Sequence, residues 1–219
     1  PFIALAALEE KIISPTKKLY AGTSISVQNP YDKEKETVFR DWRLQGHVDM
    51  RLALAYSSDI YFYTIGGGVT GDTARQVELY EQEGLGIARI DSYLSRFGFG
   101  VPTGIQLSGE EYGIIPTPEW KAANFDGEAW YLGNTYHASI GQYGFQVTAL
   151  QLARATAALA NGGKLVTPSL IPHTSEPRDL GFSESSLKVV REGMRAAVTD
   201  LRGTAPTLNI PGVRVAAKT

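Results

Sequence analysis

The sequence predicts a mixed α/β (α+β) domain in which helices outnumber strands. Three observations lead there. Apolar residues recur at helical spacing in several separate stretches, short alternating stretches lie far apart in the chain, and Gly- and Pro-containing turns punctuate the intervals. With 219 residues, 43% hydrophobic and 20% charged, the chain can bury one sizeable core and is short for two, so a single domain over 1–219 is expected. There is no internal repeat and no low-complexity linker.

Phe2 to Lys11 is apolar at nearly every position, as in a buried helix, and Pro15 is expected to end it. Ser24 to Trp42 alternates in places (Ser24-Ile25-Ser26-Val27, Thr37-Val38-Phe39), which suits short strands or extended loop. Asp49 to Ala55 reads as a helix broken by Ser57-Ser58-Asp59, and a second apolar helix runs from Ile60 to Ile65 into Gly66-Gly67-Gly68. Gly86 to Phe97 carries Ile87, Ile90, Leu94 and Phe97 on one face and stops at Gly98. Residues 100 to 136, with Pro102, Pro116 and Pro118, read as an irregular excursion. Thr148 to Ala160 is a strong helix stopped by Asn161-Gly162-Gly163, and Ser185 to Val198 is another, with Leu187, Val190, Met194 and Val198 along its seam. Val213 to Ala217 is expected to close the chain as a strand.

Composition removes several function classes. There is no cysteine, hence no disulfide, no thiolate metal site and no Cys nucleophile. The net charge of -2 comes from interspersed acids and bases, with no basic run for nucleic acid or a membrane surface. His47, His137 and His173 are scattered without ligand spacing, so neither a metal nor any other cofactor is expected. The longest apolar run, Phe2 to Leu8, is far too short to cross a bilayer. Pro1-Phe2-Ile3 has no basic leader and reads as the middle of a helix, so the native start is expected upstream, with any targeting segment.

Three features carry chemistry. Ser57-Ser58-Asp59 sits at a helix junction, where a serine commonly serves only as an N-cap. Lys218-Thr219 follows the Val213–Ala217 stretch, and a lysine there is ordinarily solvated charge. The string Gly133-Asn134-Thr135, Ser139-Ile140-Gly141-Gln142, Val147 to Ala153 and Ala160-Asn161-Gly162-Gly163 describes a turn, a tight loop and a capped core helix. Singly, each has an ordinary structural explanation.

Taken together and in order, they resemble the monofunctional, class B penicillin-binding proteins of the elongation or division type. That family carries Ser-x-x-Lys, then Ser-x-Asn or Ser-x-Asp, then Lys-Thr-Gly. Ser57-Ser58-Asp59 resembles the second motif, and Lys218-Thr219 the third without its glycine. Arg202-Gly203-Thr204-Ala205 resembles the run into that motif, and Pro1 to Glu9 resembles the helix that follows Ser-x-x-Lys. The nucleophile motif would then end immediately before Pro1. The chain departs from the family pattern at Tyr143 (usually Gly), at Ala149 (usually Pro) and at Asp59, where Asn is commoner.

The resemblance implies a β-lactamase/transpeptidase-like fold, helices packed on an antiparallel sheet, incomplete at both ends. It implies a serine acyl-enzyme formed with the D-Ala-D-Ala stem peptide of peptidoglycan, and acylation of the intact domain by β-lactams. Ser57 would relay a proton to the departing amine, Asp59 would orient its neighbours, Lys218 would hold the site positive, and Thr219 would donate a hydroxyl to substrate. The oxyanion-hole donors would lie outside this chain, so the fragment alone is expected to be inactive. The parent would be membrane-anchored, acting at the outer face of the cytoplasmic membrane or in the periplasm with cell-wall synthesis partners. The rivals are a serine β-lactamase or β-lactam sensor of the same fold, which needs a water-activating element not assignable here, and a non-catalytic scaffold homologue. Two geometric expectations follow: Ser57 and Lys218 face one cleft, and the chain ends lie within roughly 15 Å of each other.

Overall fold

Helix α1 (Phe2–Glu9) lies at the centre of the core because it has no polar side: Ile3, Ala4, Leu5, Ala6 and Ala7 are all buried. In the computed structural model, which describes residues 1–172 and 176–219, it packs against α3 (Asp59–Gly67), α5 (Gly86–Arg96) and α9 (Glu184–Thr199). His173 lies outside the described residues. The helix stops before the expected end, and not at Pro15. Lys11 turns left-handed (φ 54°), Ile12 N–H bonds the Ala7 carbonyl at 2.9 Å, and Lys11 N–H bonds that of Leu8 at 3.1 Å. That pair of reversed bonds satisfies the last carbonyls and ends the helix without a proline.

Helix α2 (Met50–Tyr56) packs against the seam of α9, and α3 packs against α7 (Leu132–Ser139). Both contacts rely on missing side chains. A Cβ on Gly66 would lie 2.3 Å from that of Ser139, and one on Gly193 would lie 2.7 Å from Cδ1 of Leu54 and 2.9 Å from its Cβ. Gly193→Ala is therefore expected to destabilise the domain by about 1–2 kcal/mol, because overpacking typically costs ~1–3 kcal/mol and outweighs the ~1 kcal/mol that alanine returns in a helix. A denaturation midpoint equal to or above that of the parent would show that the α2–α9 contact gives way freely.

Helices and antiparallel strands are both present, as expected, but among the described residues the strands form three two-stranded ribbons and not one sheet. β1 (Leu19–Ala21) pairs with β4 (Gly46–Val48), β2 (Ser24–Gln28) with β3 (Glu36–Arg40), and β5 (Lys164–Leu165) with β6 (Arg178–Asp179). In the β2–β3 hairpin Ile25 faces Phe39 in register and both are buried, the inward pair that the alternation predicted. The expected strand at Val213–Ala217 is not paired. It runs beside the C-terminal half of α9, where Ala217 N–H bonds the Met194 carbonyl at 2.9 Å and Arg195 Nη1 bonds the Val215 carbonyl at 2.6 Å. Alternation identifies a face, whereas a strand also needs a ladder partner, and no described segment supplies one.

The stretch 100–136 is more regular than expected. It contains α6 (Pro118–Asn124) and the first half of α7. Thr117 caps α6 by accepting from Trp120 N–H at 3.1 Å, and Pro118 occupies the first helical position, so the proline starts the helix. Helix α8 (Ala149–Ala160) opens with a reciprocal cap, Thr148 Oγ1 accepting from Gln151 N–H at 3.1 Å and Gln151 Oε1 from Thr148 N–H at 2.9 Å. Gln151 Nε2 also donates to the carbonyls of Val101 and Tyr112, tying the excursion to the core. The short α4 (Gly71–Gln76) flanks β2, and no helix among the described residues is long and apolar enough to cross a membrane.

Candidate active site

Only Ser57 and Ser58 separate α2 from α3, which makes the junction sharp. Ser58 takes the capping role, accepting from Tyr61 N–H at 3.4 Å and donating to Asp41 Oδ2 at 2.9 Å. Ser57 ends α2 in the left-handed conformation, φ 55° and ψ 51°. The capping role that a serine before a helix commonly plays thus falls to Ser58 and leaves the Ser57 hydroxyl free for other chemistry.

That hydroxyl accepts a hydrogen bond from the Lys218 ammonium, Nζ to Oγ 2.7 Å, across 161 residues of sequence. Burial pulls the Lys218 pKa below the ordinary lysine value, while the carboxyl of Asp59 pushes it back up. Asp59 itself is raised to about 6, first by burial and next by the neighbouring Asp41 carboxylate, with Lys218 opposing. Thr219 Oγ1 hydrogen-bonds Thr204 Oγ1 at 2.8 Å, and Thr204 is anchored through its N–H and its hydroxyl to the Ala55 carbonyl at the end of α2. Ser57, Asp59, Lys218 and Thr219 all line one cleft of about 510 Å³, which Pro1 and Phe2 also border. The two chain ends therefore meet at this cleft. Its lining also includes the apolar Phe62, Phe99 and Phe145. A larger groove of about 1140 Å³ under the β2–β3 hairpin contains none of these four residues.

The raised Asp59 carboxyl makes a prediction with a definite sign. Its folded pKa, about 6, exceeds the unfolded value of about 3.9. Between those values the folded state holds a proton that the unfolded state has released, so this group's contribution to stability falls as pH rises from about 4 to about 6. Asp59→Asn should flatten that slope and raise the melting temperature above pH 6. An unchanged slope in thermal melts across that window would show that Asp59 titrates normally.

Asp41, Trp42, Gln45 and Thr204 also hold this site, and sequence reading missed the first three. Asp41 is buried and accepts from Ser58 Oγ, from Ile60 N–H at 3.3 Å, from Trp42 N–H at 2.8 Å and from Gln45 Nε2 at 3.3 Å. The Trp42 indole N–H points at the carbonyls of Tyr56 and Ser57, 3.1 Å from each. A lone Asp-Trp pair upstream of Ser57 gives no sequence signal. Only the hydrogen bonds of buried Asp41 and exposed Trp42 to the junction reveal it.

Tyr143, the departure from the family loop, turns away from the cleft. Its backbone is left-handed (φ 66°) and its ring lies among Trp120, Phe125 and Trp130, while Ser139 at the end of α7 and Ile140 and Gly141 after it line the cleft. His47 bonds Glu78 at 2.8 Å on the surface, and burial lowers the pKa of His137. Among the described residues no cluster of His, Asp and Glu has the arrangement of a metal site.

The chain as a whole is similar to known proteins. A sequence model of the family described as penicillin binding protein transpeptidase domain matches residues 1–219. The chain is 35% identical over 173 residues to the peptidoglycan D,D-transpeptidase MrdA of Haemophilus influenzae, covering 78% of this chain and 23% of that protein. It is 34% identical over 204 residues to MrdA of Acinetobacter baumannii, covering 87% and 27%. The chain thus spans about a quarter of the length of these relatives. Among solved structures it superposes on penicillin-binding protein 2 of Pseudomonas aeruginosa in complex with WCK 5153 with a TM-score of 0.74 and 31% identity, over 95% of this chain and 45% of that one. The complex between penicillin-binding protein 2 and MreC from Helicobacter pylori gives a TM-score of 0.81 at 27% identity, over 99% and 37%. The fold of helices and small antiparallel ribbons and the sequence match over the whole chain agree: this chain belongs to the penicillin-binding protein transpeptidase family.

Proposed function

We propose that this chain forms part of a peptidoglycan D,D-transpeptidase that takes an acyl group from the D-Ala-D-Ala end of a stem peptide through a serine ester, and that β-lactams acylate the same serine. The observation that carries this reading is the 2.7 Å contact between Lys218 Nζ and Ser57 Oγ at a shared cleft. A chance triplet and a chance terminal lysine have no reason to meet across the fold.

In this reading the nucleophile belongs to a Ser-x-x-Lys segment preceding Pro1, and Phe2 borders the cleft it would enter. The Lys218 ammonium donates to Ser57 Oγ, which leaves the Ser57 proton free to point at the departing nitrogen. The nucleophile's proton passes to the lysine of Ser-x-x-Lys as its oxygen bonds the carbonyl carbon. As the amide C–N bond breaks, the Ser57 proton moves to the leaving D-Ala amine and Ser57 is reprotonated from that lysine, while the Lys218 ammonium stabilises the negative charge developing on the Ser57 oxygen. Thr219 offers its hydroxyl to the substrate carboxylate, which Lys218 also attracts, and Thr204 holds Thr219 in place. Asp59 keeps this cationic corner from repelling further positive charge. The parent protein acts at the outer face of the cytoplasmic membrane, anchored there, alongside other cell-wall synthesis proteins, in keeping with the relative solved in complex with MreC.

The test is active-site labelling of the full-length protein with a fluorescent penicillin, followed by mapping of the labelled peptide. Covalent label on a serine directly preceding this segment is expected. Rapid release of the label by hydrolysis would favour a β-lactamase, and absence of label would remove the transpeptidase reading.

A further inference from the structure

We infer that Asp41, together with Trp42 and Gln45, is a positioning clamp for Ser57, holding the α2–α3 junction in the backbone conformation that presents the Ser57 hydroxyl to Lys218. The inference rests on the role proposed above for Ser57, and goes beyond it by naming what keeps that residue in place.

Ser57 has a Cβ and a left-handed backbone, a combination that neighbouring structure must enforce. The enforcing contacts come from one short segment. On the N-terminal side of the junction, the Trp42 indole N–H reaches the carbonyls of Tyr56 and Ser57, and Gln45 Nε2 reaches that of Tyr56 at 3.4 Å. On the C-terminal side, Asp41 Oδ2 receives Ser58 Oγ–H and the N–H of Ile60. Its other oxygen receives Trp42 N–H and Gln45 Nε2, so the two arms of the clamp are joined to each other.

The chemistry of the donors explains why a carboxylate stands here. All four bonds to Asp41 come from neutral groups, and two of them come from the N-terminal end of α3. A buried carboxylate is costly unless its lone pairs are used, and the first turn of a helix is where a negative charge is favoured. Removing it would orphan the Ile60 N–H and free Ser58 Oγ at once. Without the clamp, Ser57 can relax towards ordinary backbone geometry, and its hydroxyl would swing off the 2.7 Å line to Lys218. A misplacement of about 1 Å can cost on the order of a hundredfold in rate. Asp41 and Trp42 are absent from the residues lining the cleft, so neither is placed to touch substrate, and their influence runs through Ser57.

The experiment is a double-mutant cycle in the full-length protein. Acylation by a fluorescent penicillin is resolved into the dissociation constant of the first complex and the first-order acylation constant. Asp41→Ala should lower the acylation constant about 10- to 100-fold and Trp42→Phe a few-fold, with the dissociation constant changing about twofold or less. In a Ser57→Ala background neither change should slow acylation further, because each acts through the hydroxyl already removed. If Asp41→Ala does not fold, the Trp42→Phe cycle decides, since it keeps an aromatic side chain at an exposed position while deleting the donor. Wild-type acylation by folded Asp41→Ala, or equal losses with and without Ser57, would overturn the clamp. An unlabelled wild type would overturn the transpeptidase reading itself, whereas undiminished labelling after Ser57→Ala would overturn the role of Ser57 and the clamp's catalytic role with it.

Discussion

Replacing Ser57 with alanine in the full-length protein is expected to slow acylation by a labelled penicillin by about a hundredfold to ten-thousandfold, the range that general acid–base groups supply. The loss should be kinetic and not structural. The Ser57 hydroxyl is bonded by Lys218 and leaves the capping of α3 to Ser58, so deleting it orphans no buried backbone donor. Alanine has the same preference against the left-handed backbone as serine, so the melting temperature should barely move. Ser57→Gly sharpens the test. Glycine suits φ 55° and relieves a strain of roughly 1 kcal/mol, so this variant should be as slow as Ser57→Ala yet slightly more stable. Labelling at the parent rate in either variant would show that the proton relay is misassigned. A large loss of thermal stability in both would show that Ser57 is a structural residue.

The second large effect concerns Lys218. Lys218→Gln keeps a side chain that can donate to Ser57 but removes the charge, and acylation should fall on the order of a hundredfold or more, comparable with losing a preorganised donor to a developing negative charge. Arginine should not rescue it. Its planar fork cannot place a single compact donor 2.7 Å from Oγ within a half-buried corner. The pH profile carries an independent signature. Burial holds the Lys218 pKa below the ordinary lysine value, so the active ammonium form is lost as pH rises through that lowered value, and the alkaline limb should set in earlier than for a solvent-exposed lysine. The effect on stability has the opposite slope. Above the folded pKa the unfolded chain still binds a proton that the folded chain does not, so this group favours folding more as pH rises towards the free-lysine value. Lys218→Gln should remove both dependences. An alkaline limb that survives in Lys218→Gln would belong to another group.

Sequence alone determined the element types where one physical signal dominates. Phe2 to Lys11 reads as a buried helix because it is apolar at nearly every position, and Thr148 to Ala160 as a helix because it is rich in Ala and Leu and stops at Asn161-Gly162-Gly163. The structure confirms both helices, ending the first at Glu9. Ser57, Asp59, Lys218 and Thr219 could be picked out only because their order along the chain resembles a known family. Each was chemically ordinary in isolation, and distance along a chain says nothing about distance in space. Tertiary structure decided the rest. It placed Lys218 on Ser57, it recruited Asp41 and Trp42 to the junction, and it directed Tyr143 into an aromatic cluster away from the cleft. It also left Val213–Ala217 unpaired, because a strand is defined by its partner and no described segment provides one. The common reason is physical. Capping and side-chain periodicity act over three or four residues and can be read locally. Hydrogen bonds such as Ser58 to Asp41 or Lys218 to Ser57 join groups 17 and 161 positions apart, and only the packing of α2, α3 and α9 brings those groups within reach.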